Sequence, residues 1–348
     1  MSTAASPPTH TGPPARPAGR PPRAARVSRL ETAERFGVLF LFVVVVVVFS
    51  LTHSDTFATA ENFQNIAVSQ AVLAIVALAV MIPLVGGRFD VSVGFNLGLC
   101  SVAAAALMSK YDVPLALVFV ACALIGALLG LVNGVIVAYL GVNSIIATLG
   151  TGTIMAGLVQ AYTGGVPITD GISSWLTDLS TKTVLDVPVL FLVMLAISAA
   201  VWFLLTQTPY GRRLLATGSN IAAARLTGLD VHRIVMASFV AAGFVAGIGG
   251  VLQVAAQGSG DPSTGGLAFL LPAIAAVFLG ATTWQPGQYN VPGTLLGLFF
   301  ISTTISGLVL AGVAPWVTDV FNGAAVVVAI IISAQLRRKR TGALEVGG

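Results

Sequence analysis

Charge is what this sequence has least of. Of its 348 residues only 9% are Asp, Glu, Lys or Arg, against 56% hydrophobic, and the mean hydropathy is +0.94. A soluble domain carries charge at about a quarter of its positions. A chain so poor in polar side chains cannot cover its own surface in water, so lipid is its expected solvent. Cysteine is nearly absent: Cys100 and Cys122 each fall inside an apolar run, where a lone thiol acts as a small hydrophobe, which excludes a disulfide framework. His10, His53 and His232 have no ligand partner at metal-binding spacing, so no metal is expected. Neither HExxH nor GxSxG occurs. Lysine is confined to Lys110, Lys182 and Lys339, preceded by Ser109, Thr181 and Arg338. A phosphate-cradling GxxxxGK[ST] loop is therefore missing, and the chain does not bind ATP in that way. No catalytic residue and no cofactor of its own is expected. The net charge of +4 does not point to nucleic acid, because the basic residues lie in tails and loops rather than on one face.

What is present is a series of long apolar runs. They read as spans at about 36–52, 63–85, 91–108, 114–140, 143–163, 188–206, 234–256, 267–282, 291–311 and 316–335, each near the ~20 residues a helix needs to cross a bilayer. The expected fold is an all-α integral membrane protein of about ten transmembrane helices. The third and eighth runs are short and glycine-flanked, as broken or re-entrant spans are. Residues 1–35 are rich in Pro, Ala and Arg and read as a disordered basic cytoplasmic tail. Residues 36–336 read as the transmembrane domain, with a polar loop at 207–233, and 337–348 as a cytoplasmic C-terminal tail. With both termini inside, all of the 17 basic residues except Lys110 and Lys182 fall on the inner side, as the positive-inside rule requires. Gly86-Gly87-Arg88-Phe89-Asp90 on the inner side and Gly258-Ser259-Gly260-Asp261 on the outer side are placed as the halves of an inverted repeat would place them.

An ion-coupled carrier keeps an ionisable group within the membrane. None falls in mid-span here; Arg88 and Asp90 come closest and can pair with each other at the membrane surface. The spans do carry uncharged polar groups, among them Asn96, Asn133, Asn143, Thr148, Thr151, Gln160 and Gln253. Such groups serve interhelical hydrogen bonding, helped by Gly126, Gly130 and Gly134, which let helices approach closely. Together with Asp90 they are also the candidate lining of a wet, uncharged pathway for a neutral hydroxylated solute.

The polar loop is the one long soluble segment between the first and last spans. Asn220 is a good N-cap for a short helix over 221–227, with Gly228 in the C-terminal cap position. Ala222, Ala223 and Ala224 leave one face without bulk, suited to a groove on a partner protein, and Arg212, Arg213, Arg225 and Arg233 would meet acidic rims or lipid phosphates.

The stretch Gly211-Arg212-Arg213-Leu214-Leu215-Ala216-Thr217-Gly218-Ser219-Asn220, followed by Ala222-Ala223-Ala224-Arg225-Leu226-Thr227-Gly228-Leu229, resembles the cytoplasmic loop of permease subunits from ribose-type monosaccharide ABC importers, within the branched-chain amino acid/monosaccharide permease superfamily. Gly86 to Gly94 is similar to the signature after that family's second span. Ile145–Thr151 and Tyr162–Ile168 are similar to its fifth span and the loop beyond, and Ala273–Ala281 and Gly293–Gly297 to its eighth and ninth. Two departures stand out: Ile221, where the family usually has an acidic residue, and Thr282 to Tyr289, where it usually has a glycine-rich turn.

The resemblance implies a type II ABC importer-like pore subunit of a bacterial cytoplasmic membrane, moving a neutral monosaccharide or polyol inward by alternating access. It implies cytoplasmic ATP-binding subunits carrying ATP-Mg, an extracytoplasmic substrate-binding protein meeting the loops 163–187 and 257–266, and a second permease copy, identical or related. Gly211, Arg212, Asn220, Ala222, Ala223, Ala224, Arg225 and Gly228 would carry ATPase coupling. The alternatives are a stand-alone or ion-coupled carrier, and an ABC permease for branched-chain amino acids or nucleosides.

Overall fold

The structure is a computed structural model. It describes residues 29–314 (29–35 by backbone) and, beyond them, 316–317, 320–321, 323–325, 327–328 and 330–332. The tail before residue 29, much of the expected tenth span and the C-terminal tail lie outside the described residues.

Twelve helices and one small hairpin are named here in chain order: α1 Arg29–Thr52, α2 Ala60–Val85, α3 Val93–Tyr111, α4 Leu115–Ala138, α5 Ser144–Thr163, α6 Ser174–Thr181, β1 Thr183–Val184, β2 Val187–Pro188, α7 Val189–Thr206, α8 Pro209–Ser219, α9 Ile221–Leu226, α10 Val231–Gln257, α11 Gly266–Gly280 and α12 Val291–Leu310. Seven of these are long and apolar enough to cross a membrane. Three shorter apolar helices, Phe36–Thr52, Gly266–Gly280 and Gly323–Ile332, lie where the remaining spans were expected.

The centre of the bundle is α2. Every residue from Ala71 to Leu84 except Leu73 is buried, as expected of a helix that is hydrophobic all round and enclosed by others. It packs against α10, α11, α12 and α7. Its partner α10 also lies along α4, where a Cβ at Gly126 would stand 2.2 Å from the Gly243 carbonyl oxygen, and one at Gly243 2.2 Å from that of Gly126. Lipid gives helices no hydrophobic reason to associate, so close backbone contact at small residues holds this pair together. The outward faces of α4, α5 and α7 carry Leu124, Leu128, Ile146, Ile154 and Phe203, all exposed on the isolated chain.

The two segments that the sequence offered as repeat halves carry matching turns. One sequence interval separates Asp90 from Asp261, Ser92 from Ser263, and Ala60 from Val231, the first residues of α2 and α10. Asp90 Oδ1 accepts from Ser92 N (3.0 Å) and Ser92 Oγ (2.6 Å); Asp261 Oδ1 accepts from Ser263 N (2.7 Å) and Ser263 Oγ (2.7 Å). The helices that follow the two turns meet at their first residues, a Cβ at Gly94 falling 2.3 Å from the Gly266 carbonyl oxygen.

The connection 164–187 is more ordered than the sequence suggested. It holds α6 and the β1–β2 hairpin, and Ile168 forms an antiparallel bridge to Gly260 in the connection between α10 and α11. The turn where a glycine-rich segment was expected places Trp284 at φ 54°, a left-handed conformation that glycine adopts far more cheaply. Asn290 holds that turn, its Nδ2 donating to the carbonyls of Gln288 (3.0 Å), Thr283 (3.3 Å) and Gly280 (3.4 Å).

Candidate functional site

The polar segment after α7 is helical almost throughout. Thr208 caps α8, its Oγ1 accepting from Gly211 N (3.1 Å) and donating to Leu204 O (2.6 Å). Asn220 caps α9 by accepting from Ala223 N (3.0 Å). Asp230 caps α10 by accepting from Arg233 N (3.1 Å), and pairs with the Arg233 guanidinium at 3.0 Å. Three caps in succession, each taking up one of the free N–H groups that begin its helix, leave little slack between α7 and α10. Tyr210 donates to Ile234 O (3.3 Å), and burial pushes its phenol up, so it remains a neutral donor.

Leu214 and Thr217 turn α8 inward. A Cβ at Gly218 would lie 2.0 Å from Val85 O, so α8 sits directly on the end of α2. On α9, Ala224 is buried with Val137, Val231, Val235 and Phe239, so it seats the helix rather than offering surface. Ala222 and Ala223 are exposed, as are Arg212, Arg213, Arg225 and Gly228, and Gly228 has φ 80°. Sequence reasoning missed Leu226, which is 90% exposed. One helical turn from Ala222 and Ala223, it completes a small apolar face on the soluble side.

The second feature is a chain of hydrogen bonds beneath α8. The Asp90–Ser92 turn continues through Asn133 Nδ2, donating to Ser92 Oγ (2.7 Å), and Thr151 Oγ1, donating to Asn133 Oδ1 (2.7 Å). Thr148 Oγ1 accepts from Val91 N (2.9 Å) and donates to Ser144 O (2.7 Å). This network ties the α2–α3 connection to α4 and α5, so these groups serve interhelical bonding. Arg88 and Asp90 do not pair among the described residues: Asp90 Oδ1 accepts from Ser92, and Arg88 Nε is buried without a hydrogen bond. Asn96 is separate, donating to Gly126 O (3.2 Å). Asn143 is exposed and caps α5, accepting from Ile145 N (3.0 Å) and Ile146 N (3.3 Å). Gln160 is exposed on α5.

The third feature lies at the opposite end of α2 from α8. A cavity of about 610 Å³ opens between α2, α10, α11 and α12. From α2 come Asn62, Asn65, Ser69 and Gln70, from α10 Gln253 and Gln257, and from α12 Ser302 and Ser306, with Ile66, Phe269 and Ile305 as apolar wall. Among the described residues no charged side chain lines it. Gln253 is 4% exposed, and the surface it keeps borders this cavity. Ser306 Oγ donates to Asn62 Oδ1 (2.9 Å), joining α12 to the first turn of α2. Gln253 of this lining was legible as a polar span residue. Asn62, Asn65 and Ser306 lie near helix ends, where polar residues pass for interfacial ones.

A bundle of apolar helices with a capped polar segment at one end and a cavity lined by amides and hydroxyls at the other has the form of a membrane permease. The chain belongs to the family described as the branched-chain amino acid transport system / permease component, which matches residues 62–330. It is 33% identical to the ribose import permease protein of Haemophilus influenzae over 301 residues, 86% of this chain and 92% of that one. It is 27% identical to the D-allose transport system permease protein of Escherichia coli K12, over 86% of this chain and 91% of that one. It is 32% identical to an autoinducer 2 import system permease protein of Klebsiella pneumoniae, over 88% and 87%. No solved structure matches the chain. The likeness first read from short motifs extends along most of the chain.

Proposed function

We propose that this chain is the pore subunit of an ABC importer that moves a neutral monosaccharide or polyol inward by alternating access. The observation that carries this reading is the cavity at the outer end of α2, lined by amides and hydroxyls with an apolar wall and, among the described residues, no charge. Amides and hydroxyls both donate and accept, matching a solute whose surface is hydroxyl groups, while Phe269 and Ile305 suit its C–H faces. The sugar permeases to which the chain is similar support the same class.

ATP-Mg is bound and hydrolysed on separate cytoplasmic subunits, which grip the exposed face of Ala222, Ala223 and Leu226. Their movement reaches the bundle through Gly218 on Val85 and through the network from Asp90 to Thr151. The termini are cytoplasmic, and an extracytoplasmic binding protein delivers solute to the outer loops. A second copy of the permease, identical or related, packs against α5, where a Cβ at Gly150 or Gly157 would meet nothing within 4 Å. A second reading, a branched-chain amino acid as solute, is favoured by the family description, but a zwitterion would seek charged groups or helix ends. Competition decides between them: in proteoliposomes holding the complete importer, uptake should be inhibited by excess pentose or hexose and not by leucine. Inhibition by leucine alone would overturn the sugar assignment.

A further inference from the structure

The β1–β2 hairpin pairs Thr183 with Pro188 and Val184 with Val187, leaving Leu185 and Asp186 as a two-residue loop. Both have positive φ, 52° and 63°, the geometry for which hairpin loops select Asn-Gly or Asp-Gly. Leucine is a poor choice there, because its Cβ is crowded in the left-handed region. It also gains nothing from packing within the isolated chain, where Leu185 is 93% exposed. At the other end of the same unit, Trp175 on α6 is 77% exposed, while Leu176 beside it is fully buried and anchors α6. A strained turn that holds an apolar side chain in open space marks a contact site, since such strain collects where function requires it.

Resting on the proposed importer, we infer that Leu185 is an anchor for the extracytoplasmic solute-binding protein, and that Gln64 carries the docking event to the cavity. Gln64 Nε2 donates to Asp186 O at 2.9 Å, tying the hairpin tip to the first turn of α2. Asn62 and Asn65 of that same turn line the cavity, and Asn62 is held to α12 by Ser306. Pressure on the tip therefore moves a wall of the solute chamber. A soluble protein fits the surface better than lipid headgroups do. Asp170, Asp178, Asp186 and Asp261 lie in the two outer loops, and Lys182 is already paired with Asp178 at 2.7 Å, so the face repels anionic lipid and suits an apolar socket with a basic rim.

The test uses the full importer in nanodiscs, titrated with the binding protein that supports uptake by the wild-type chain. Leu185→Gly removes the anchor while suiting the positive φ, so the thermal midpoint should hold or rise, and affinity for the binding protein should fall about tenfold or more. Gln64→Leu should leave that affinity within twofold but abolish stimulation of ATP hydrolysis by the loaded binding protein. A bimane label on Leu185→Cys, selective because both native cysteines are buried, should shift on adding the binding protein and ignore brominated lipid. Unchanged affinity in Leu185→Gly, or a label quenched by lipid, would overturn the inference and leave the importer reading standing. A wild-type chain that takes up solute with no binding protein would overturn both.

Discussion

Gly218 of α8 rests on the carbonyl of Val85, so closely that a Cβ there would stand 2.0 Å from the oxygen. At this point α8 and the central helix of the bundle meet backbone to backbone, the contact through which the proposed coupling would pass. Gly218→Val should lower uptake at least tenfold while the protein still inserts and reaches the membrane in normal amount. Uptake and membrane abundance measured together check this. Normal uptake would mean that the contact does not transmit force.

The exposed face of α9 makes a separate prediction. Ala223→Glu or Leu226→Asp should prevent co-purification of the ATP-binding subunit and abolish uptake. Both positions are on the surface, so the thermal midpoint of the isolated permease should stay within about 2 °C. Ala224→Glu should instead destabilise the permease itself, because that side chain is packed under the helix.

Asp90 can be tested by what its oxygen accepts. Asp90→Asn keeps an acceptor for both Ser92 contacts and should retain most stability, whereas Asp90→Ala leaves the Ser92–Asn133–Thr151 chain without its end and should cost about 1.5–3 kcal/mol, the range for a hydrogen bond to a charged group. Thermal unfolding in detergent separates the two variants.

The proposed function puts solute recognition at the cavity. Gln253→Leu should raise the solute concentration for half-maximal uptake by about tenfold with ATPase coupling intact, the scale of leaving a solute hydroxyl unpaired. Ser306→Ala should do so less, because Ser306 already bonds Asn62. Uptake titrations on both variants give the comparison.

How much of this was legible in the sequence depends on distance along the chain. Asn220 as the cap of a short helix could be read directly, since capping is settled within four residues. The start of α8 carried an equally local signal in Thr208 followed by Pro209, but the basic run after it hid the helix inside a loop. The exposure of Leu226 and the burial of Ala224 depend on how one turn of helix settles on α4 and α10, which no local pattern encodes. The cavity was least visible: Asn62, Gln253 and Ser306 lie far apart in sequence, and only the packing of α2, α10 and α12 brings them to one wall. The matched turns at Asp90 and Asp261 could be read as similar strings, while the meeting of Gly94 with Gly266 required the fold.

The central claim is that the permease has no power of its own and is driven through α8 and α9. The direct measurement is solute accumulation in proteoliposomes containing the permease and its binding protein, with and without the ATP-binding subunit and ATP. The account predicts accumulation above the external concentration only when both are present. Accumulation by the permease without any nucleotide-hydrolysing subunit would contradict it.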